Sequence, residues 1–552
     1  MRSRFIRIVC MWLWVGCLTG CAPQPGEPLS APTEPVVAAP LPAATESAET
    51  SPLRVWVDAQ TPPEVSALLV GKPGFETTTA AGEADAMLTV LPRGEGVEIA
   101  NRVFALTAAF PTIADELALE ALKDIWRGSA SSGETVIFTT EEGLLAFNQI
   151  WGEAGPSSVQ QVDGQEEMIS MLWETSGSLG LVPFEALDPR LKVLAVDGMN
   201  PLDKGLNSEA YPLVIRYGLL ENPGAARSAQ VTWPQPPVIT NRDENRLTSV
   251  LLTGTTALSR TTAFVMEEKG ITYPARDIRK WLTSADITHI SNEVPLFTGC
   301  PPAVPLREEA RFCSDPRYIE LLEYSGVDVI ELTGNHLLDW GPEAFLDTLA
   351  LYDEKGYAYY GGGINPQAGR EPLLLEENGN KIAFLGCNAV GPQQVWATDT
   401  QPGPAECNLD EMESEIRRLK NEGYVVIATF QHFELDEYKP QSSQRIDFQR
   451  AARAGADIVS GSQAHSPQSM TLIGRRFIHY GLGNLFFDQM FAGYDREFLD
   501  LHFVYDGRYI STRLYTARLE DAARPRPMTS KERSELLSAV FQAADWSFYA
   551  EE

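Results

Sequence analysis

The sequence predicts an α/β protein in two globular parts, a smaller N-terminal one and a longer C-terminal one. Three observations predict this. Short apolar runs alternate with amphipathic stretches along most of the chain, the pattern of strands interleaved with helices. At 552 residues the chain exceeds what one hydrophobic core serves. The stretch 222–246, rich in Pro, Asn and small residues, breaks the periodicity and reads as a linker.

The chain opens with Arg2, Arg4 and Arg7, followed by the apolar run Ile8 to Leu18, which is too short for an ordinary membrane span. The run closes on Leu18-Thr19-Gly20-Cys21, which resembles a bacterial lipobox. That resemblance implies lipidation at Cys21, an exported chain and anchorage to the outer face of the cell membrane; an uncleaved signal anchor or a cut nearby is the alternative. Two acyl chains anchor stably where one is marginal. Residues 22–51 are rich in Pro, Ala, Glu and Thr without apolar period, and read as an extended, disordered tether.

Composition narrows the function classes. There are 44 Lys and Arg against 75 Asp and Glu, a formal charge of −31. Such a field repels polyphosphate, so nucleic acid is not an expected partner. The acid excess is read as a solvating surface, with cation binding the alternative. Export permits disulfides. With Cys10 and Cys17 in the leader and Cys21 lipidated, four cysteines remain, and proximity favours the pairs Cys300–Cys313 and Cys387–Cys407 over a zinc site, because no CxxC spacing occurs.

In the N-terminal part, 52–221, strands are expected at Leu53–Val57, Ala86–Leu91, Thr135–Phe138 and Lys192–Val196, and helices at Glu116–Trp126 and Glu142–Trp151. The run from Ser178 to Leu187 (SLGLVPFEAL), the strand-turn that continues through Asp197-Gly198-Met199-Asn200-Pro201, and Ala121–Gly128 resemble segments of type 2 periplasmic solute-binding domains. The resemblance implies a ligand held on helix N-terminal amides; a degenerate fold kept for packing or partner contact is the alternative.

The C-terminal part, 247–518, holds all six histidines of the chain, the first of them His289; a helix is expected over Lys531–Ala544 in the tail, 519–552. Three expected strands run into polar tips: Val327–Leu332 into Thr333-Gly334-Asn335-His336, Tyr424–Phe430 into Gln431-His432, and Ala456–Ser460 into Gly461-Ser462-Gln463-Ala464-His465. Open α/β sheets place their sites at such C-terminal edges. His289 and His502 lie within strands and are expected in the core.

These tips occur in order with Asn292-Glu293, Asp339, Gly361-Gly362-Gly363, Lys381 to Gly386, Ala454 to Val459 and Gly481 to Asp488. On these motifs the region is identified as a member of the CapA family of capsule (poly-γ-glutamate) synthesis proteins, which is metallophosphatase-like. The resemblance implies a four-layer α/β sandwich of the metallophosphoesterase type, with a smaller α/β solute-binding-like domain before it. It implies a catalytic pair, His336 as general acid or phosphate contact and Asn335 as an amide ligand. Metal ligation is carried over to Glu293, His432 and His465, and cleft or supporting positions to Asn292, Asp339, Gln463, His479 and Asn484. The implied partners are an anionic surface polymer or its precursors, the membrane through the lipid anchor, and capsule-synthesis membrane proteins.

Two departures from the family pattern bear on chemistry. Where members carry the aspartate of a Gly-Asp strand end, this chain has Thr255, and Gly-x-His-Pro-His reads Gly461 to His465 with Gln463 in place of an imidazole. A hydroxyl and an amide are weak substitutes for those donors. One divalent ion (Mn, Fe or Zn) or none is therefore expected. The two functional readings are a metal-dependent hydrolase or transferase acting on the polymer, and a non-catalytic surface binding or scaffold lipoprotein.

Overall fold

The computed structural model describes residues 52–129, 135–222, 238–305, 311–490 and 493–551. The leader, Cys21, the tether and most of the linker lie outside the described residues.

The N-terminal part is built on one long strand, Val97–Ala109, whose thirteen residues serve as a spine. Its first half pairs antiparallel with Val214–Glu221, and its second half with Leu179–Pro183 and Leu191–Val196. The expected strand at 135–138 is Ile137–Thr139, parallel to Leu179–Pro183. The helix Glu141–Trp151 begins where the Thr140 hydroxyl accepts from the Gly143 amide at 3.3 Å, satisfying one otherwise unpaired N–H. It packs Phe147 against Phe104, Trp126 and Trp151. The expected helix over 116–126 divides into a short strand, Glu116–Leu117, and the helix Leu119–Trp126. Ile239–Thr240, within the stretch read as a linker, pairs with the spine strand, so the chain is bound to the first sheet at that point.

The C-terminal part contains two stacked sheets. The first runs Ala358–Tyr360, Val329–Glu331, Ile287–Asn292, Leu247–Thr253, Arg496–Tyr505, Arg508–Glu520, Arg524–Pro527, with its first four strands parallel. The second runs Leu373–Glu377, Asn380–Asn388, Val425–Gln431, Ile458–Ser462, Arg476–His479, Met470–Ile473, with a parallel centre. Strand alternation explains the layering. Val250, Leu252, Ile287 and Val329 meet Ile382, Phe384, Val425, Ile427, Ile458 and Phe477 between the sheets. The intervening Ala383, Val426, Ala428 and Val459 face Ile416, Leu419 and Phe448 of the helices Leu409–Asn421 and Ser442–Ala454. On the far side Leu251, Ile290 and Ile330 face the helices Arg260–Lys269, Ile319–Ser325 and Gly341–Lys355. Burial on both faces is why these strands read as continuous apolar runs. The four-layer α/β sandwich follows from this alternation.

The tail is part of the core. Its helix, Ser530–Ala543, starts on a capping box between Thr529 and Glu532. Leu536, Leu537 and Val540 join the core between the sheets, and Arg533 reaches Asp115 of the N-terminal part at 2.7 Å. Further contacts between the two parts are Arg513 to Asp203 at 2.6 Å, Arg475 to Asp188, and Trp173 stacked on Tyr549 at 4.2 Å. Both expected disulfides are present, Cys300–Cys313 and Cys387–Cys407. Among the described residues no helix is long and apolar enough to cross a membrane.

Candidate functional site

The C-terminal ends of the parallel strands from both sheets converge on one edge. Thr255–Thr256 pairs with Ser291–Asn292 on one side and with the Asn484–Phe486 strand on the other. The Glu293 amide donates to Thr256 O at 3.0 Å, and Asn292 Nδ2 to Val294 O at 2.8 Å. The Thr333–His336 turn lies directly on this tip. A Cβ on Gly334 would stand 2.6 Å from Glu293 Cα, so only glycine permits the approach. Below the turn, Asn388 Nδ2 donates to Thr333 O at 2.9 Å and the Thr333 hydroxyl to Glu331 Oε1 at 2.7 Å. Glu331 is fully buried, and burial raises its pKa against the hydroxyls that hydrogen-bond to it.

This arrangement leaves His336 half-buried at the strand-tip edge with its Nδ1 bound to Asp339 Oδ2 at 2.8 Å. Asp339 is itself oriented by the Phe312 amide at 2.7 Å, and the Phe312 ring lies 4.6 Å from the imidazole. Burial opposes a charge on His336, but the Asp339 hydrogen bond and the Glu293 and Asp339 carboxylates outweigh it, so its pKa is raised. With Nδ1 committed to Asp339, Nε2–H of the imidazolium is the proton available for transfer. Glu293 is buried, and its Oε2 has no hydrogen-bond partner among the described residues.

A second cluster holds the tips of the two sheets together. Gln431 Nε2 donates to Asn335 Oδ1 at 3.0 Å and to Gln463 Oε1 at 2.7 Å, while its Oε1 accepts from the Ser462 hydroxyl at 2.9 Å. Gln463 takes a left-handed backbone, φ 71°, and its amide donates to the Thr255 hydroxyl at 3.2 Å. The two positions that depart from the family pattern are thus bonded to each other, and one amide NH2 engages both Asn335 Oδ1 and Gln463 Oε1.

The implied metal ligands do not share this centre. His432 Nε2 is bound to Asp447 Oδ2 at 3.1 Å on the helix behind the sheet, leaving Nδ1 buried without a partner among the described residues. His465 Nδ1 donates to Asn484 Oδ1 at 2.7 Å, with Glu434 3.8 Å from its Nε2. Among the described residues no three His, Cys, Asp or Glu side chains are grouped to hold an ion. Glu293, His432 and His465 therefore do not form one ligand set, and the residues present do not fit the two-cation centre. His479 is fully buried, its nitrogens bound to Asp500 at 2.6 Å and Gln468 O at 3.2 Å. A buried carboxylate draws it there. His289 and His502 are core residues, as expected.

Residues 249–489 match the model of the family described as bacterial capsule synthesis protein PGA_cap. Over these residues the chain is similar to the CapA-type capsule-synthesis proteins. The capsule biosynthesis protein CapA of Bacillus anthracis is 27% identical over 271 residues, covering 48% of this chain and 65% of that protein. The PGA biosynthesis protein CapA of Bacillus subtilis is 24% identical over 183 residues, covering 33% of this chain and 48% of that protein. The chain thus spans less than two thirds of either relative. Among solved structures, an ABC-type phosphate transport receptor from Vibrio cholerae aligns over 31% of this chain and 86% of its own, with TM-score 0.25 and 14% identity.

Within this region the sequence names His336, Asp339 and the strand tips, but not that His336 and Asp339 are bonded, nor the residue that joins the tips. Gln431 lay beside His432 in the sequence and was passed over for the imidazole. Arg260, whose guanidinium lies over the Phe312 ring that His336 also touches, was missed as well. Its signal was faint: a cation following Ser259 just after the first strand tip.

Proposed function

We propose that the chain works at the cell envelope in the biosynthesis, anchoring or processing of poly-γ-glutamate or a related anionic surface polymer, carried on a lipid at Cys21. In this reading the polymer lies across the strand-tip cleft. His336 gives its Nε2 proton to the leaving nitrogen of a γ-glutamyl amide as water or an acceptor amine attacks the carbonyl. Asp339 orients the imidazole and supports its charge, as a carboxylate does beside a proton-transferring histidine. The observation that carries the reading is the raised pKa of an imidazole bonded at 2.8 Å to Asp339, with Glu293 nearby. No step is routed through a metal, because the donor set does not close around one.

A second reading, a binding protein that holds the polymer without cleaving it, is supported by the Gln431 amide, which fastens Asn335 and Gln463 into a neutral network. One experiment separates the two. Detergent-extracted full chain is incubated with poly-γ-glutamate, with and without added Mn, Fe or Zn, and chain length and new amino ends are measured. Cleavage or transfer lost in His336→Asn supports the first reading; binding with unchanged chain length supports the second; neither binding nor turnover overturns both.

A further inference from the structure

Two arginines contact the residues that hold the His336 imidazole, Phe312 and Asp339. Arg260, the first residue of its helix, has its guanidinium 4.7 Å from the Phe312 ring centroid and 4.8 Å from that of Phe487. Its Nε and Nη2 are bound to Asp488, which also accepts from the Thr261 amide at 2.9 Å. Nη1 is uncommitted among the described residues, and the side chain is 20% exposed. Phe312 carries His336 as well, 4.6 Å between rings, so guanidinium and imidazole share one aromatic neighbour. The backbone of Arg260 is left-handed, φ 46°, a conformation that costs a non-glycine residue roughly 1–3 kcal/mol and recurs at ligand sites.

The second cation is Arg311, exposed and adjacent to Phe312. Its Nε donates to Asp339 O at 2.7 Å and its guanidinium lies 4.0 Å over Trp340. Both arginines are therefore fixed by aromatic stacking and by hydrogen bonds close to the proton donor, in a chain whose formal charge is −31. Stacking sets the plane of each guanidinium beforehand, which reduces the ordering cost of a contact through Arg260 Nη1 and through the two Nη groups of Arg311.

We propose that Arg260 and Arg311 bind free carboxylates of the polymer next to the amide addressed by His336, making the site selective for a γ-linked acidic chain. This rests on the polymer reading above. In a γ-linked glutamyl chain every residue presents one free α-carboxylate beside each backbone amide, so two guanidinium groups next to one proton donor match the repeat. A neutral polyamide offers nothing for them to bind, and the two cations then remain hydrated.

The test uses the full chain in detergent with three probes: a poly-γ-glutamate oligomer, its α-methyl ester, and glutarate. Arg311→Gln removes an exposed group, and Arg260→Lys keeps the charge beside Asp488 while removing the planar fork. The expected result is that wild type binds the acid oligomer at least about 10-fold more tightly than the ester, since hydrogen bonds to a charged carboxylate are stronger than those to a neutral ester. Each variant loses about 10-fold for the acid and nothing for the ester, and the acid affinity falls with added salt. Equal affinity for acid and ester, or variants that bind like wild type, overturns the proposal while the polymer reading stands. If wild type binds neither oligomer, the polymer reading fails; glutarate binding weakened by Arg260→Lys then keeps the carboxylate site. Should Arg260→Lys fail to fold, Arg311→Gln alone decides.

Discussion

Replacing Gln431 with alanine tests whether one side chain holds the tips of the two sheets together. Gln431 is 1% exposed and makes three hydrogen bonds, to Asn335, Gln463 and Ser462. Truncation leaves Gln463 Oε1 buried without its donor, a loss of about 1–3 kcal/mol. Asn335 lies at the partly exposed rim, where water replaces the lost donor, and Ser462 keeps a 3.4 Å contact to Phe430 O, so each adds roughly 0.5 kcal/mol. The expected total is about 2–4 kcal/mol, which at roughly 2–4 °C per kcal/mol for a domain of this size lowers the midpoint by about 5–15 °C. Gln431→Glu keeps the shape but cannot donate; if the Asn335 and Gln463 amides turn their NH2 ends toward it, most of the loss is recovered. The assay is urea unfolding of residues 52–552, followed by tryptophan fluorescence, with the slope checked for constancy. A change below about 0.5 kcal/mol for Gln431→Ala at unchanged slope would refute the claim that this amide ties the tips together.

Three further outcomes are expected. Asp339→Asn lowers the His336 pKa, read by NMR titration of the imidazole; because the folded pKa is raised, the stability from this pair is full below the unfolded value of about 6.5, fades as pH rises through the folded value, and that fading disappears in the variant. His502 has its pKa pushed down to about 4 by burial, so acidification from pH 6.5 destabilises the fold by about 1.4 kcal/mol per pH unit, and His502→Gln shows a shallower acid slope in urea unfolding. Cys21→Ser moves the chain from the membrane to the soluble extracellular or periplasmic fraction, with loss of incorporated labelled palmitate; retention on the membrane with no label in wild type rejects the lipid anchor.

The sequence by itself determined the α/β class, the strand tips that carry Asn335, His336 and His465, and both disulfide pairs. Strand period, turn chemistry and cysteine proximity are local properties, and each survives folding unchanged. It also placed His289 and His502 in the core, because a histidine inside an apolar strand has nowhere else to go. The tertiary structure alone decided where the polar groups at those tips point. His432 bonds to Asp447 on a helix 15 residues further along, and His479 to Asp500 on the neighbouring sheet, and no local pattern encodes which carboxylate an imidazole meets. The same holds for Gln431, which bridges positions 335 and 463, and for Arg260, which shares a ring with His336 across 76 residues of chain. Such long-range pairings are set by how two sheets stack and where the tail helix wedges against them. Hydrogen bonding and ion pairing at short range then select among the neighbours that packing provides.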